Sequence, residues 1–341
     1  MTEISQQVRL GKTDIYIAPM GVGTWSWGDR TFWSYGVTHT DQDVQDAFDV
    51  CLNAGLNLID TAAIYGFGKN ERVLGKLLEK VDKPLIIASK LFPLPWLLTQ
   101  GSLLRSVRGS INRLKYKPID LYQPHWPLSI QSVERWMDAL TKAKELGLIR
   151  AVGVSNYNLR KMFRAKKELE KYGLDLTSNQ VHFSLLHRKP EIDGLLEVCK
   201  KEGITLLAYS PLGQGLLTGK YKPGGKTPKG LMRLGNDKII QHIQPLLEVM
   251  DHIGQAHNNK SSTQVAINWV LSKGAIPLVG AKNAHQAQEN LGGIGWQLTE
   301  AEVTALDEAS KEIQISFPME HLASLLPSSR CRGSGTERQS R

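Results

Sequence analysis

Short apolar runs recur along the chain at 20–23, 56–60, 85–89, 119–122, 149–154, 177–181, 205–208 and 276–279, and longer stretches between them return an apolar residue every three or four positions. The first pattern is that of buried strands, the second that of helices packed by one face. Helices are expected over 41–51, 70–80, 102–114, 132–146, 159–172, 190–202, 238–257, 262–273 and 284–291, with Thr40 and Asp41 as a cap for the first. Strands that alternate with helices lie parallel, and eight such units fit a closed (β/α)8 TIM barrel better than an open doubly wound sheet. No GxGxxG follows the first strand, which removes the main support for a Rossmann reading.

Two alternating runs at 8–10 and 15–17, joined by a turn with Gly11 and Asp14, predict a β-hairpin that plugs one end of the barrel. The stretch 213–235 (GKYKPGGKTPKG within it) is the one long insertion and reads as a basic loop over a site. Thr299 with Glu302 forms a capping box, so an extra C-terminal helix is expected over 299–312. Beyond 317 the pattern decays into Ser, Gly and Arg, so 1–317 reads as one barrel domain and 318–341 as a disordered tail.

Composition narrows the function. The 41% apolar share supplies a large core, and the formal charge of +9 comes from 42 Lys and Arg against 33 Asp and Glu. The basic residues are scattered, without the clustering and aromatic interleaving of a nucleic-acid surface, so the charge implies at most an attraction for anionic cofactors. Cys51, Cys199 and Cys331 show no CxxC spacing, and no metal site is expected. No apolar run is long enough for a membrane span and the N-terminus has no signal core, so a cytoplasmic protein without a membrane partner is expected. Nothing in the pattern separates a monomer from a homo-oligomer.

In a barrel, polar residues at the C-terminal ends of strands carry the chemistry. Here they are Asp60, Lys90, His125, Ser155 with Asn156, Gln180, and Tyr209 with Ser210, while Tyr65 stands five positions after Asp60. Singly, each has an ordinary explanation as a cap, a solvated charge or a satisfied core histidine. Together, Asp, Tyr, Lys and His on one rim make a carbonyl-reduction site. A phenol of pKa near 10 is a weak donor to a developing alkoxide; a neighbouring ammonium, Lys90, is expected to lower that pKa, and Asp60 to hold the lysine. His125 would then fix the substrate oxygen, with the hydride coming from a cofactor.

The ordered blocks NLIDTAAIYG, IIASK, LYQPHWP, GVSNY, LLAYSPLGQGLLTGKY and PLVGAKNAHQAQENLG resemble those of the aldo-keto reductase superfamily, over about residues 8–307. The resemblance implies Asp60, Tyr65, Lys90 and His125 as a catalytic tetrad and NADPH/NADP lying extended across the barrel mouth. It implies Ser155, Asn156 and Gln180 at the carboxamide, Tyr209 stacked on the nicotinamide, and Trp25 near that end. Ser210, Leu212, Gly213 and Gly215 would follow the pyrophosphate, with Lys220 closing over it. Gly280, Lys282, Gln286, Glu289 and Asn290 would take the adenosine end, Lys282 supplying charge for the 2′-phosphate. A second basic residue that many members carry there is replaced by glutamine, and Pro124 stands before His125 where a larger apolar residue is more usual.

A pocket walled by Trp25, Trp27, Trp33, Trp96, Trp126, Tyr65 and His125 is expected to take a small carbonyl substrate. Within the superfamily the sequence looks closest to the branch that holds general reductases and potassium-channel β subunits. The alternative to an aldehyde reductase is therefore an NADPH-binding redox-sensing subunit with slow turnover. A metal-dependent hydrolase or aldolase fits less well, because the strand ends show no ligand spacing.

Overall fold

The computed structural model describes residues 4, 6–92, 99–127, 131–225, 237–313 and 315. Parallel strands Gly21–Gly23, Leu58–Asp60, Ile86–Leu91, Ile119–Pro124, Ile149–Val152, Ser178–His182, Thr205–Tyr209 and Ile276–Gly280 follow one another around a barrel with helices outside. The expected run 149–154 is interrupted at Gly153. Its first part pairs with Ile119–Pro124, and its continuation, Val154–Ser155, pairs with Ser178–His182 on the other side. One interrupted strand thus serves both neighbours and brings the ring round. Gly153 leaves room here, since a Cβ would lie 2.3 Å from Ser178 Oγ and force that side chain to move.

The hairpin strands Val8–Arg9 and Tyr16–Ile17 pair antiparallel. Leu10, Ile15 and Ile17 are buried together with Leu58, Ile86, Ala88, Leu121, Ala151, Leu207, Ile276 and Leu278. Those partners lie mostly early in their strands, so the hairpin closes the N-terminal mouth and leaves the other end for chemistry. A second, larger core lies between strands and helices, where Phe48, Leu74, Met137, Met162 and Trp269 are buried.

The helices hold their places by capping as well as burial. Thr40 with Asp43, Thr99 with Ser102, Ser261 with Gln264, and Thr299 with Glu302 form capping boxes, and the last opens the added helix Glu300–Lys311; each cap satisfies backbone donors that a helix start leaves open. Two expected helices are divided. The 190–202 segment breaks into Lys189–Ile192 and Leu195–Glu202 at Gly194, whose φ is 74°. The 238–257 segment becomes Asp237–His242 and Gln244–Ala256, the second starting with a proline in its first turn. Within the tryptophan-rich loop a short helix, Arg30–Trp33, forms under the cap of Asp29.

Trp96, the 226–236 part of the basic insertion and the 318–341 tail lie outside the described residues. Among those described, no helix is long and apolar enough to cross a membrane, and no group of three His, Cys, Asp or Glu could hold a metal ion.

Candidate active site

Asp60 ends its strand and Lys90 lies inside the next, fully buried. Lys90 Nζ donates to Asp60 Oδ1 at 2.6 Å and to the Thr61 carbonyl at 2.8 Å, while Gln180 Nε2 donates to Asp60 Oδ2 at 2.8 Å. Burial pushes the Asp60 carboxyl up and the Lys90 ammonium down, and their mutual attraction opposes both shifts. Both carboxylate oxygens are engaged, as a buried charge requires.

Tyr65 stands on no strand. It opens a 3₁₀ turn, Tyr65–Gly68, in which Gly66 and Phe67 both have φ of 52°. The turn lays the phenol against three partners: the Trp25 ring stacked at 5.7 Å, the His125 ring edge-on at 5.5 Å, and Lys90 Nζ at 5.1 Å from the ring centroid. The expectation that Lys90 lowers the phenol pKa is not met. Burial, then the Asp60 charge, holds it well above its ordinary value and outweighs the ammonium 5.1 Å from the ring centroid. His125 is pushed well below 6.5 by burial and by Lys90, so it is a neutral imidazole. Its Nδ1 is buried with no hydrogen-bond partner among the described residues, and its carbonyl accepts from Asn156 Nδ2 at 3.0 Å.

Ser155, Asn156, Gln180 and Tyr209 are brought together beside this group. Ser155 Oγ donates to the Gln180 carbonyl at 3.0 Å, Asn156 Nδ2 donates to Ser155 Oγ at 3.1 Å, and the Tyr209 hydroxyl donates to Asn156 Oδ1 at 3.0 Å. Asn156 and Ser210 hold φ of 61° and 52°, strained conformations of the kind that gather at functional sites. From Ser210 the chain enters the turn Gly213–Thr218, where Gly213 and Gly215 take φ of 54° and 94° and Leu212 packs on the core. A Cβ on Gly215 would stand 3.0 Å from Lys220 Nζ, so the glycine makes room for that lysine.

On the other side of the mouth, Gly280 ends the last strand and Asn283 caps the helix Ala284–Leu291. Lys282 N–H donates to Gln286 Oε1 at 2.9 Å, and Asn290 Nδ2 ties the helix to the Gly280 carbonyl at 3.2 Å. Glu289 accepts from the Ser261 hydroxyl. Lys282 Nζ lies 5.0 Å from the Trp33 ring and Lys220 Nζ 4.9 Å from the Tyr221 ring; neither ammonium has a carboxylate partner among the described residues. Burial and the charge of Lys220 both push Lys282 down. A buried polar knot at one side and uncompensated cations at a helix start on the other suit a ligand that is neutral at one end and anionic at the other.

The aldo/keto reductase family model matches residues 19–311. The chain belongs to that family. It is 38% identical over 321 residues, 90% of this chain and 86% of the relative, to the chloroplastic pyridoxal reductase of Arabidopsis thaliana. It is 29% identical to the NADH-specific methylglyoxal reductase of Escherichia coli, covering 91% of this chain and 99% of that one. The solved glycerol dehydrogenase of Gluconobacter oxydans superimposes with a TM-score of 0.79 at 28% identity, covering 92% of this chain and 98% of the other. Membership supports nicotinamide-dependent reduction of small carbonyl compounds, and the barrel is the one these relatives share.

In this aldo-keto reductase the tryptophans divide. Trp25 walls the site, held by its indole N–H donating to Asp29 Oδ2 at 3.0 Å. Trp27, expected in the pocket, is core: it is fully buried, packs on Phe48, and its indole N–H donates to the Ala281 carbonyl at 2.7 Å. Trp33 meets Trp25 and Lys282, with no ring contact to Tyr65 or His125. Trp126 is buried.

Four positions escaped the sequence reading. Asp29 clamps Trp25 with one oxygen and caps the Arg30–Trp33 helix with the other, and Asn70 Nδ2 donates to the Thr24 and Trp25 carbonyls at 2.7 and 2.9 Å. Phe92 sets its ring 6.0 Å from His125, and His182 lies parallel to Tyr209 at 5.3 Å. Only Asp29 carried a usable signal, an acidic cap before a short helix.

Proposed function

We propose that the protein reduces aldehydes to alcohols with NADPH, using Tyr65 as the proton donor. The observation that carries this is the meeting of Lys90, paired with Asp60 at 2.6 Å, with a Tyr65 ring 5.1 Å from its ammonium and a neutral His125 beside that ring. The residues present fit the dinucleotide: Lys220 and Lys282 lack carboxylate partners among the described residues, and glycines with left-handed φ line the path between them and the tetrad. Bound NADPH supplies the hydride. Ser155, Asn156 and Gln180 would hold its carboxamide and Tyr209 would pack on its ring, with Lys282 at the 2′-phosphate.

The chain's own residues do the rest. His125, neutral and backed by Phe92, presents an imidazole to the substrate oxygen without offering a competing charge. Tyr65 is a protonated phenol at neutral pH, as any phenol of pKa 10 or above is, and would donate as negative charge develops on that oxygen. Lys90 then steadies the phenolate that donation leaves behind, and Asp60 keeps Lys90 from wandering. Trp25 shields the phenol from bulk water on one face.

The test is a panel of aldehydes and ketones followed by the loss of NADPH absorbance, with NADH in parallel. Turnover of small aldehydes that disappears in Tyr65→Phe supports the reading, whereas undiminished turnover in that variant rejects it. Turnover too slow for metabolism in the intact protein would instead favour a redox-sensing subunit.

A further inference from the structure

Among the described residues, the lysine assigned above to the 2′-phosphate is held by a tryptophan and by no carboxylate. Lys282 Nζ lies 5.0 Å from the Trp33 ring centroid. The same indole meets Trp25 edge-on at 5.5 Å and 86°, and Trp25 lies against Tyr65 at 5.7 Å. A continuous file of side chains therefore runs from the phenol to the ammonium. Asp29 sets its geometry, since Oδ1 accepts from the Thr31 and Phe32 N–H groups at 2.9 Å and Oδ2 accepts from the Trp25 indole at 3.0 Å. The Trp33 Nε1 is buried with no hydrogen-bond partner among the described residues.

We propose that Trp33 is a positioning residue for Lys282 and, through it, a determinant of preference for a dinucleotide phosphorylated on the adenosine ribose; this rests on the NADPH reading above. An acidic partner would hold the ammonium equally well but would neutralise it, and the phosphate would have to displace that partner. An aromatic face attracts the cation through its quadrupole and leaves the charge uncompensated. The lysine is thus ordered before the ligand arrives, and less side-chain freedom is lost on binding. Its pKa points the same way: burial and the nearby Lys220 both destabilise the charge, and a phosphate would relieve this. A dinucleotide without the phosphate draws on none of these terms.

Calorimetric titration with NADP+ and NAD+ tests the proposal, using the whole chain and the variants Trp33→Leu, Trp33→Phe, Lys282→Met and the double Trp33→Leu/Lys282→Met. Trp33→Leu is expected to weaken NADP+ roughly tenfold and NAD+ by less than about twofold, the size of a desolvated cation–π contact. Trp33→Phe, which keeps a weaker aromatic face, should lose only about threefold for NADP+. In the Lys282→Met background, Trp33→Leu should add nothing further. Equal weakening of both dinucleotides would show that Trp33 merely packs the loop, and additive losses in the double variant would show that it does not act through Lys282; either overturns the proposal, as does unchanged NADP+ affinity. Thermal melts accompany each titration, and if Trp33→Leu does not fold, Trp33→Phe with and without Lys282→Met carries the same comparison. Wild-type protein that binds neither dinucleotide would reject the oxidoreductase reading itself, whereas tight NADP+ binding indifferent to Trp33 would reject this proposal alone.

Discussion

The two ends of the site are built on opposite terms. At the tetrad end, Lys90 spends donors on Asp60 and Thr61, Asp60 takes Gln180 on its second oxygen, and a chain of hydrogen bonds runs from Tyr209 through Asn156 and Ser155 to Gln180. At the phosphate end, Lys220 and Lys282 lean on aromatic rings and have no anion among the described residues. Apart from His125 Nδ1, the first end is hydrogen-bonded within itself before any ligand arrives, which suits a group of charges that must keep its geometry through a reaction. The second is left incomplete, which suits a surface that a charged ligand finishes. Damage at the first end should therefore appear in turnover and stability, and damage at the second in cofactor affinity alone.

The largest expected effect is at the phenol. Tyr65→Phe keeps the ring that stacks on Trp25 and removes the proton, so kcat should fall by about 10³-fold, within the range for loss of a general acid, with NADPH affinity unchanged in a direct titration. A comparable loss of affinity would mean that the hydroxyl serves binding and would blur the contrast between the two ends. Next comes the buried pair. Lys90→Met leaves a carboxylate in an apolar setting with Gln180 as its remaining partner, at a cost of about 3–5 kcal/mol in urea unfolding. Adding Asp60→Asn removes the stranded charge and should restore part of that stability while activity stays lost.

Removing the other lysine should do the reverse. Lys282→Met deletes a partly buried cation that has no ion pair among the described residues, so the unfolding midpoint should hold or rise, while NADPH binding weakens about tenfold and NADH binding stays put, in line with one desolvated charge contact. A stability loss as large as that of Lys90→Met would show that Lys282 is structural and that the asymmetry of the site is only apparent.

Much of this was legible in the sequence, for a stated reason. Strands buried on both faces read as short apolar runs, and the polar residues within or just after their ends stand out, so Asp60, Lys90, His125 and Gln180 could be placed on one rim before any coordinates. The breaks at Gly153 and Gly194 were hidden because periodicity does not register a single residue. At Gly153 the cause is a side chain on another strand, Ser178, which no local pattern contains. The sign of the Tyr65 shift was misread because charge types can be listed from sequence but desolvation cannot, and here desolvation is the largest cause. The tryptophans mixed two fates for the same reason: Trp25 and Trp27 are two positions apart, yet one faces the site and the other the core.

The smallest effect concerns His125 and separates protonation from hydrogen bonding at the tetrad end. Its folded pKa lies well below the ordinary 6.5, through burial and the Lys90 charge. The unfolded chain therefore takes up a proton at this residue as pH drops through about 6.5 while the folded protein does not, so the contribution is present in full above that pH and is lost below it. Between pH 6.5 and 5.5 the loss approaches about 1 kcal/mol, since one proton difference is worth about 1.4 kcal/mol per pH unit. His39, lowered by burial with its ring nitrogen bonded to the Ser26 carbonyl, adds to the same slope, while Asp60, whose carboxyl burial pushes up, opposes it. Subtracting the slope of His125→Asn from that of the parent cancels both. Urea unfolding of the two proteins at pH 7.5, 6.5 and 5.5 should show the parent losing more stability on acidification. Parallel slopes would mean that His125 is protonated in the folded state, and Tyr65 would then share the substrate oxygen with a second acid.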